Sequence, residues 1–372
     1  MKKVSKLASI VSMLWLAFLL NGCGQLKTVN SIAQVGDDPY LFVMENHFKY
    51  DLDEVINSDI DSNKKLLWYV TNKISHGLMK ADTANLYKNA NFGCTSFQAQ
   101  KDDSTGFWYG RNYDFFKDPT MVVINRPKEG YASISTCDLM QLGMKFDKLP
   151  NKFKNKLTCL AGIYAPMDGI NEKGLCTSIM ALPYQAGHQN TGKHKVGTSI
   201  IMRLWLDRCA TVQEAIDLLA QYDLCHDTEA GSGYHYMVAD ANGDCAIIEL
   251  DKDDNWKTIV LRKPADSNYF HITNHLLNPK HVTTVPDPSV GNPNSKSWWR
   301  YEKVKEYMNE NNGTLSLEGM QKGLEMVRWV DLLLPGGKVE DTQWSNVYDQ
   351  TNKVLYLRHW NSYDNTRVFK LN

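Results

Sequence analysis

The chain has 372 residues, with 41 Lys and Arg against 42 Asp and Glu, for a formal net charge of −1. That balance gives no electrostatic reason to expect nucleic acid or an acidic lipid surface as a partner. A hydrophobic share of 43% with 22% charged residues describes a globular protein, built as one large domain or two ordinary ones.

Residues 1–22 read as a targeting segment. Lys2, Lys3 and Lys6 make a positive start, and the apolar run Leu7 to Leu20 is too short for a comfortable membrane span. The run ends Leu19-Leu20-Asn21-Gly22-Cys23, which resembles a bacterial lipoprotein box with an unusual Asn21. Lipidation of Cys23 would anchor the chain to a membrane without crossing it. The expectation is an exported bacterial lipoprotein, facing the periplasm or the cell surface. An ordinary cleaved signal peptide is the plainer reading.

Residues 23–38 are polar, lack periodicity and read as a tether. In segment 39–93, Leu66, Leu67, Val70, Ile74 and Leu78 fall at helical spacing after a cap at Asp61 or Ser62. That apolar face needs a partner, so the segment is expected to pack on the main domain, residues 94–372.

From Cys94 onward strand signals dominate. Asn91-Phe92-Gly93-Cys94-Thr95-Ser96-Phe97 leads through the polar turn at 102–106 into Phe107-Trp108-Tyr109-Gly110-Arg111-Asn112-Tyr113-Asp114-Phe115, a β-hairpin pattern. Further strands are expected at 121–124, 131–135 and 175–180. Helices follow over 198–209 and after the capping box Thr211-Val212-Gln213-Glu214. Strands at 234–240 and 245–250 flank an Asn242-Gly243 turn, with more at 256–261 and 269–273. A Pro-rich loop over 277–297, helices near 296–309 and 315–330, and strands near 344–348 and 354–360 complete the chain. Hairpins with helices interposed in blocks indicate an α+β fold.

The hairpin brings a thiol, a guanidinium and a carboxylate together. A Cys nucleophile needs its proton removed near neutral pH, and a free thiol titrates near about 8.5. If Cys94 carried its own α-amine, with a reference pKa of about 7.7–8.0, that amine would serve as general base. Arg111 would favour both the thiolate and the unprotonated amine, and Asp114 would hold the amine. The plainer readings are a buried strand Cys and a solvated Arg–Asp pair.

The Cys-Thr start followed by Gly110-Arg111-Asn112-Tyr113-Asp114-Phe115 resembles the choloylglycine hydrolase group of N-terminal-nucleophile (Ntn) hydrolases. That group includes bile-salt hydrolases, penicillin V acylases and, more distantly, acid ceramidase and N-acylethanolamine amidase. The resemblance implies a four-layer α-β-β-α sandwich and cleavage between Gly93 and Cys94. It implies oxyanion donors at Asn171, in Asn171-Glu172-Lys173-Gly174-Leu175, and at Asn274, in Thr273-Asn274. Arg300, in Ser297-Trp298-Trp299-Arg300-Tyr301, fits a further family position loosely, and a surface helix Arg fits it as well. The matches run in family order almost to the C-terminus. About 70 residues precede Cys94 in the mature chain, as in the ceramidase-like branch, where the N-terminal piece stays bound after cleavage. The implied activity is hydrolysis of a linear amide in a small-molecule N-acyl amide with an apolar acyl group, such as a conjugated bile acid or a fatty acyl amide.

Competing readings stay open. A Cys/His hydrolase without processing would recruit His188, His194, His226 or His235. His271 and His275 are four apart but lie in a strand pattern without an intervening Glu, so they read as ordinary polar side chains, not as metal ligands. An acyltransferase, a penicillin-type acylase and a non-catalytic ligand-binding lipoprotein are compatible with the same residues. No metal or cofactor is expected, and a homo-oligomer is compatible with the sequence. Of the 8 Cys, those in apolar runs are expected as free, small hydrophobes, with their pairing left open.

Overall fold

A computed structural model describes residues 24–75, 77, 93–182, 186–226, 232–281, 293–333 and 337–371. The targeting segment, Cys23 and Leu78 lie outside them. Among the described residues no helix is long and apolar enough to cross a membrane.

The strands, in chain order, are β1 (Ala33–Val35), β2 (Asp38–Asn46), β3 (Gly93–Lys101), β4 (Phe107–Phe115), β5 (Thr120–Asn125), β6 (Ser133–Asp138), β7 (Asp168–Asn171), β8 (Cys176–Leu182), β9 (Lys195–Gly197) and β10 (Asp223–Cys225). Then come β11 (Gly233–Ala239), β12 (Cys245–Asp251), β13 (Lys257–Arg262), β14 (Tyr269–Ile272), β15 (Thr314–Leu315), β16 (Leu332–Leu333), β17 (Val339–Asp349), β18 (Val354–His359) and β19 (Arg367–Lys370). One nine-stranded sheet runs β1-β2-β5-β6-β7-β8-β11-β12-β13, and an eight-stranded sheet is built on β14-β3-β4-β17-β18-β19. Their inner faces meet through side chains: Ser96 Oγ lies 2.9 Å from Ser178 Oγ, and Trp344 Nε1 donates to Asp168 at 2.8 Å.

The α-helices that cover or precede these sheets are α1 (Gly24–Ser31), α2 (Leu52–Asn57), α3 (Asn63–Tyr69), α4 (Phe153–Thr158), α5 (Thr198–Arg208), α6 (Val212–Leu219), α7 (Pro293–Glu310) and α8 (Leu317–Met326). Helices α5 and α6 pack outside the first sheet, and α7 and α8 outside the second, which gives the four α-β-β-α layers. Gly169 on β7 lets α5 approach, since a Cβ there would lie 2.9 Å from Leu206. The hairpin turn before β4 needs Gly106, whose φ is +142° and whose absent Cβ would meet Thr351 Oγ1 at 2.0 Å.

Helix α5 is buried from Ile200 to Asp207. A helix buried all round needs cover on every side, and segment 39–75 supplies it here. Tyr50 donates to Asp207 at 2.8 Å, and Arg208 pairs with Asp53 at 2.7 Å. Helix α3 starts at the Ser62 cap, as the pattern indicates, and continues as a π-helical turn over Val70–Ile74.

Residues 24–38 depart from the tether expectation. They form α1, β1 and the start of β2, with Thr28, Val29 and Ile32 buried. Strand β2 pairs in parallel with β5, so the piece before Cys94 belongs to the main sheet. The short apolar set Val29, Ile32 and Leu41 carries no visible period because α1 and β1 pack on β2, which is in turn ordered by β5 some 80 residues on. The seven described cysteines are buried free thiols.

Candidate active site

Cys94 is the second residue of β3 and fully buried. The hairpin register sets it opposite Tyr113, sets Ser96 opposite Arg111, and sets Gly93 opposite Asp114. Successive strand residues point to opposite faces. The thiol and Arg111 therefore share the inner face, while Asp114 looks outward to α7.

On the inner face Arg111 Nη2 donates to the Ile179 carbonyl at 2.6 Å, and the Cys94 thiol reaches the same carbonyl at 3.7 Å. Arg111 Nε lies 3.7 Å from Asp168. Asp168 also accepts from Trp344 at 2.8 Å, from Asn346 at 2.7 Å and from the Tyr348 hydroxyl. Burial pushes the Cys94 thiol up to about 11, against the pull of the Arg111 and Arg300 charges. With the Cys94 nitrogen still an amide, the thiol is a neutral, enclosed group.

On the outer face Asn274 and Arg300 close the cluster. Asn274 Oδ1 accepts from the Cys94 N–H at 2.6 Å and from Arg300 Nη2 at 2.7 Å, and its Nδ2 donates to the Ala181 carbonyl at 2.7 Å. Arg300 Nη1 donates to the Cys94 carbonyl, to Thr95 Oγ1 at 3.0 Å and to Asp114 at 3.4 Å. The Trp329 ring covers the Arg300 guanidinium at 4.9 Å. Asp114 takes a 2.5 Å hydrogen bond from Thr342; burial raises its pKa, and the Arg300 charge opposes that rise.

Cys94, Arg111, Asp114, Asn274 and Arg300 thus surround one peptide unit. Asn171 does not join them. Its Nδ2 donates to the carbonyls of Leu206 and Cys209 at 3.0 and 2.7 Å, and its Oδ1 accepts from the amides of Lys173 and Leu175 at 3.0 Å each. Asn171 is the clasp of a turn that ties β7 to the end of α5. Asp168, three residues earlier in the same motif, is the side chain that reaches the site. Its signal was a lone carboxylate in a strand buried on both faces, which requires a cation.

The histidines sit elsewhere. His271 stacks on Tyr301 and His275 on Trp298, with ring centroids at 4.0 and 3.7 Å. Burial pulls both down to about 3, so they are neutral. His235 contacts Glu249 and the Thr273 carbonyl. Among the described residues, Asp251, Asp253 and His281 have the spacing of a cation site. Asp251 already takes His281 at 2.9 Å and Lys280 at 3.4 Å.

A cavity of about 320 Å³ is lined by Leu182, Tyr234, Leu250, Lys252, Trp256 and Leu276, together with His226 and Gly233. Leu182 follows Ala181 directly and Leu276 lies two residues past Asn274, so its wall continues from the residues beside Cys94.

A four-layer sandwich with a cysteine at the head of an inner strand defines an Ntn-hydrolase fold. The chain is similar to a mutant of the conjugated bile acid hydrolase from Clostridium perfringens, with TM-score 0.54 and 14% identity over 75% of this chain and 92% of that one. It is also similar to penicillin V acylase from Agrobacterium tumefaciens, with TM-score 0.52 and 15% identity over 75% and 86%. No curated protein matches the sequence. The family model described as acyl-coenzyme A:6-aminopenicillanic acid acyl-transferase matches residues 150–361, and the chain belongs to that family. The matched region contains Asn274 and Arg300; Cys94, Arg111 and Asp114 lie before it.

Proposed function

We propose that this protein hydrolyses the linear carbon–nitrogen bond of a small N-acyl amide, with Cys94 as an N-terminal nucleophile freed by cleavage at Gly93–Cys94. The observation that carries the reading is the double grip on Cys94: Asn274 holds its nitrogen, and Arg111 directs a charge at its thiol.

Cleavage would turn the Cys94 amide into an α-amine. That amine takes the thiol proton, and the thiolate attacks the acyl carbonyl. Asn274 Nδ2 is the donor assigned to the oxyanion. The tetrahedral adduct expels the amine, which leaves with the proton held by the α-ammonium. Water, deprotonated by the same amine, then attacks the thioester. The acid departs, and the proton returns to sulfur. Arg111 and Arg300 stabilise the thiolate, and Asp114 steadies Arg300 beside the new terminus. The cavity behind Leu182 and Leu276 supports an apolar acyl group. The lipoprotein box around Cys23 supports a membrane-anchored, exported enzyme.

Intact mass and N-terminal sequencing of protein made without residues 1–23 test the reading. Two fragments, one starting at Cys94, support it, and Cys94→Ala should abolish both processing and turnover. An active Ala variant would refute it. A second reading, transfer of the acyl group to an amine, is favoured by the description of the matched family. Adding an acceptor amine would then yield a new amide in place of the free acid.

A further inference from the structure

We propose that His235 and Glu249 are a positioning pair that fixes Asn274, and through it the nitrogen of Cys94, by way of the Thr273 carbonyl. The inference rests on the hydrolase reading above and adds two residues to its machinery.

Both side chains are fully buried on the neighbouring strands β11 and β12. His235 Nε2 lies 2.8 Å from the Thr273 carbonyl, which can only accept, so Nε2 carries a proton. Nδ1 lies 3.2 Å from Glu249 Oε1. Glu249 also accepts from the Leu277 amide at 2.8 Å and the Asn278 amide at 3.1 Å. The pair therefore grips the chain on both sides of Asn274, at residue 273 and at residues 277 and 278. Ser297 Oγ accepts from the Asn274 amide between them at 2.7 Å. Asn274 has its Oδ1 on the Cys94 nitrogen, so a displacement of the 273–278 turn moves the group that orients the nucleophile's base. Misplacement of such a group by about 1 Å is costly in rate. A buried polar pair in a sheet must have its hydrogen bonds satisfied, and here the bonds outside the pair all lead to one loop.

The test compares His235→Gln with His235→Asn. Gln places its amide nitrogen near the lost Nε2 and keeps the donor to Thr273; Asn places its own near Nδ1 and keeps only the Glu249 contact. The Gln variant should process and turn over within about threefold of the wild type. The Asn variant should lose at least about tenfold in kcat at similar KM, with an equal drop in Tm. An Asn variant as active as the Gln variant, or losses in both that follow Tm alone, would overturn the proposal. If neither variant folds, imidazole ¹⁵N shifts in the Cys94→Ala protein decide. A protonated Nε2 at His235 supports the pair, and an unprotonated one refutes it. A wild type that neither cleaves itself nor hydrolyses any N-acyl amide would sink the functional reading, while the NMR result still judges the pair.

Discussion

Gly93 stands on the side of the proposed cleavage bond that would become a free carboxylate, and its size is set by one aromatic ring. A Cβ at residue 93 would lie 2.5 and 2.7 Å from two carbons of Trp329, and 3.0 Å from the Asp114 Cβ. Gly93→Ala therefore overpacks the uncleaved site. Overpacking of this kind costs about 1–3 kcal/mol, which for a chain of this size is a Tm drop of about 1–4 °C. The clash exists only while residue 93 is bonded to Cys94. Once the bond is cut, the introduced methyl sits on a chain end that can withdraw from the ring. Melting curves would compare Gly93→Ala with its parent twice: in the uncleavable Cys94→Ala background, and in protein already split at residue 94. The expected result is a lower Tm in the first pair and no change in the second. Trp329→Leu should relieve the strain, with a coupling above about 0.5 kcal/mol. An equal drop in cleaved and uncleaved protein would refute the reasoning, as would no drop in either.

Arg111→Met leaves the buried Asp168 with only neutral donors and should cost about 3–5 kcal/mol in chemical denaturation. Adding Asp168→Asn should restore most of that stability without restoring turnover, because the charge beside the thiol stays absent. Asn171→Ala should lower stability by about 1–3 kcal/mol, the penalty for orphaned buried groups, while kcat of the folded protein changes less than about threefold. A loss of a hundredfold or more would return Asn171 to the oxyanion. Burial, reinforced by the Asp114 charge, pushes Glu340 up to about 8, above its unfolded value. Its neutral form is the one the fold favours, so stability should fall as pH rises from about 4.5 to 8. Glu340→Gln should flatten that slope, which denaturation at pH 5 and pH 8.5 would measure.

The local signals in this chain were strong where a side chain's duty is settled by its neighbours in sequence. The hairpin over 93–115 follows from two strand runs and a Gly turn, and its register alone sets Cys94, Arg111 and Asp114 around one peptide unit. Thr211 caps α6 as its sequence indicates, although Glu214 reaches back to the Ala210 amide, one residue beyond the cap. The Asn242-Gly243 turn forms with Gly243 at φ +88°. Tertiary structure decided what depends on distant partners. Residues 24–38 look featureless because α1 and β1 take their order from β2, which is itself held by β5 some 80 residues on. Asn171 and Asp168 stand three residues apart in one motif, and only the packing of α5 below and β17 above determines which of them turns toward Arg111. His235 and Glu249 fall in ordinary strand sequence, and nothing nearby foretells that their hydrogen bonds meet at the Asn274 loop. Alternation fixes which face a strand residue takes, but a buried polar side chain is assigned its work by the groups it must satisfy, and those come from elsewhere in the chain.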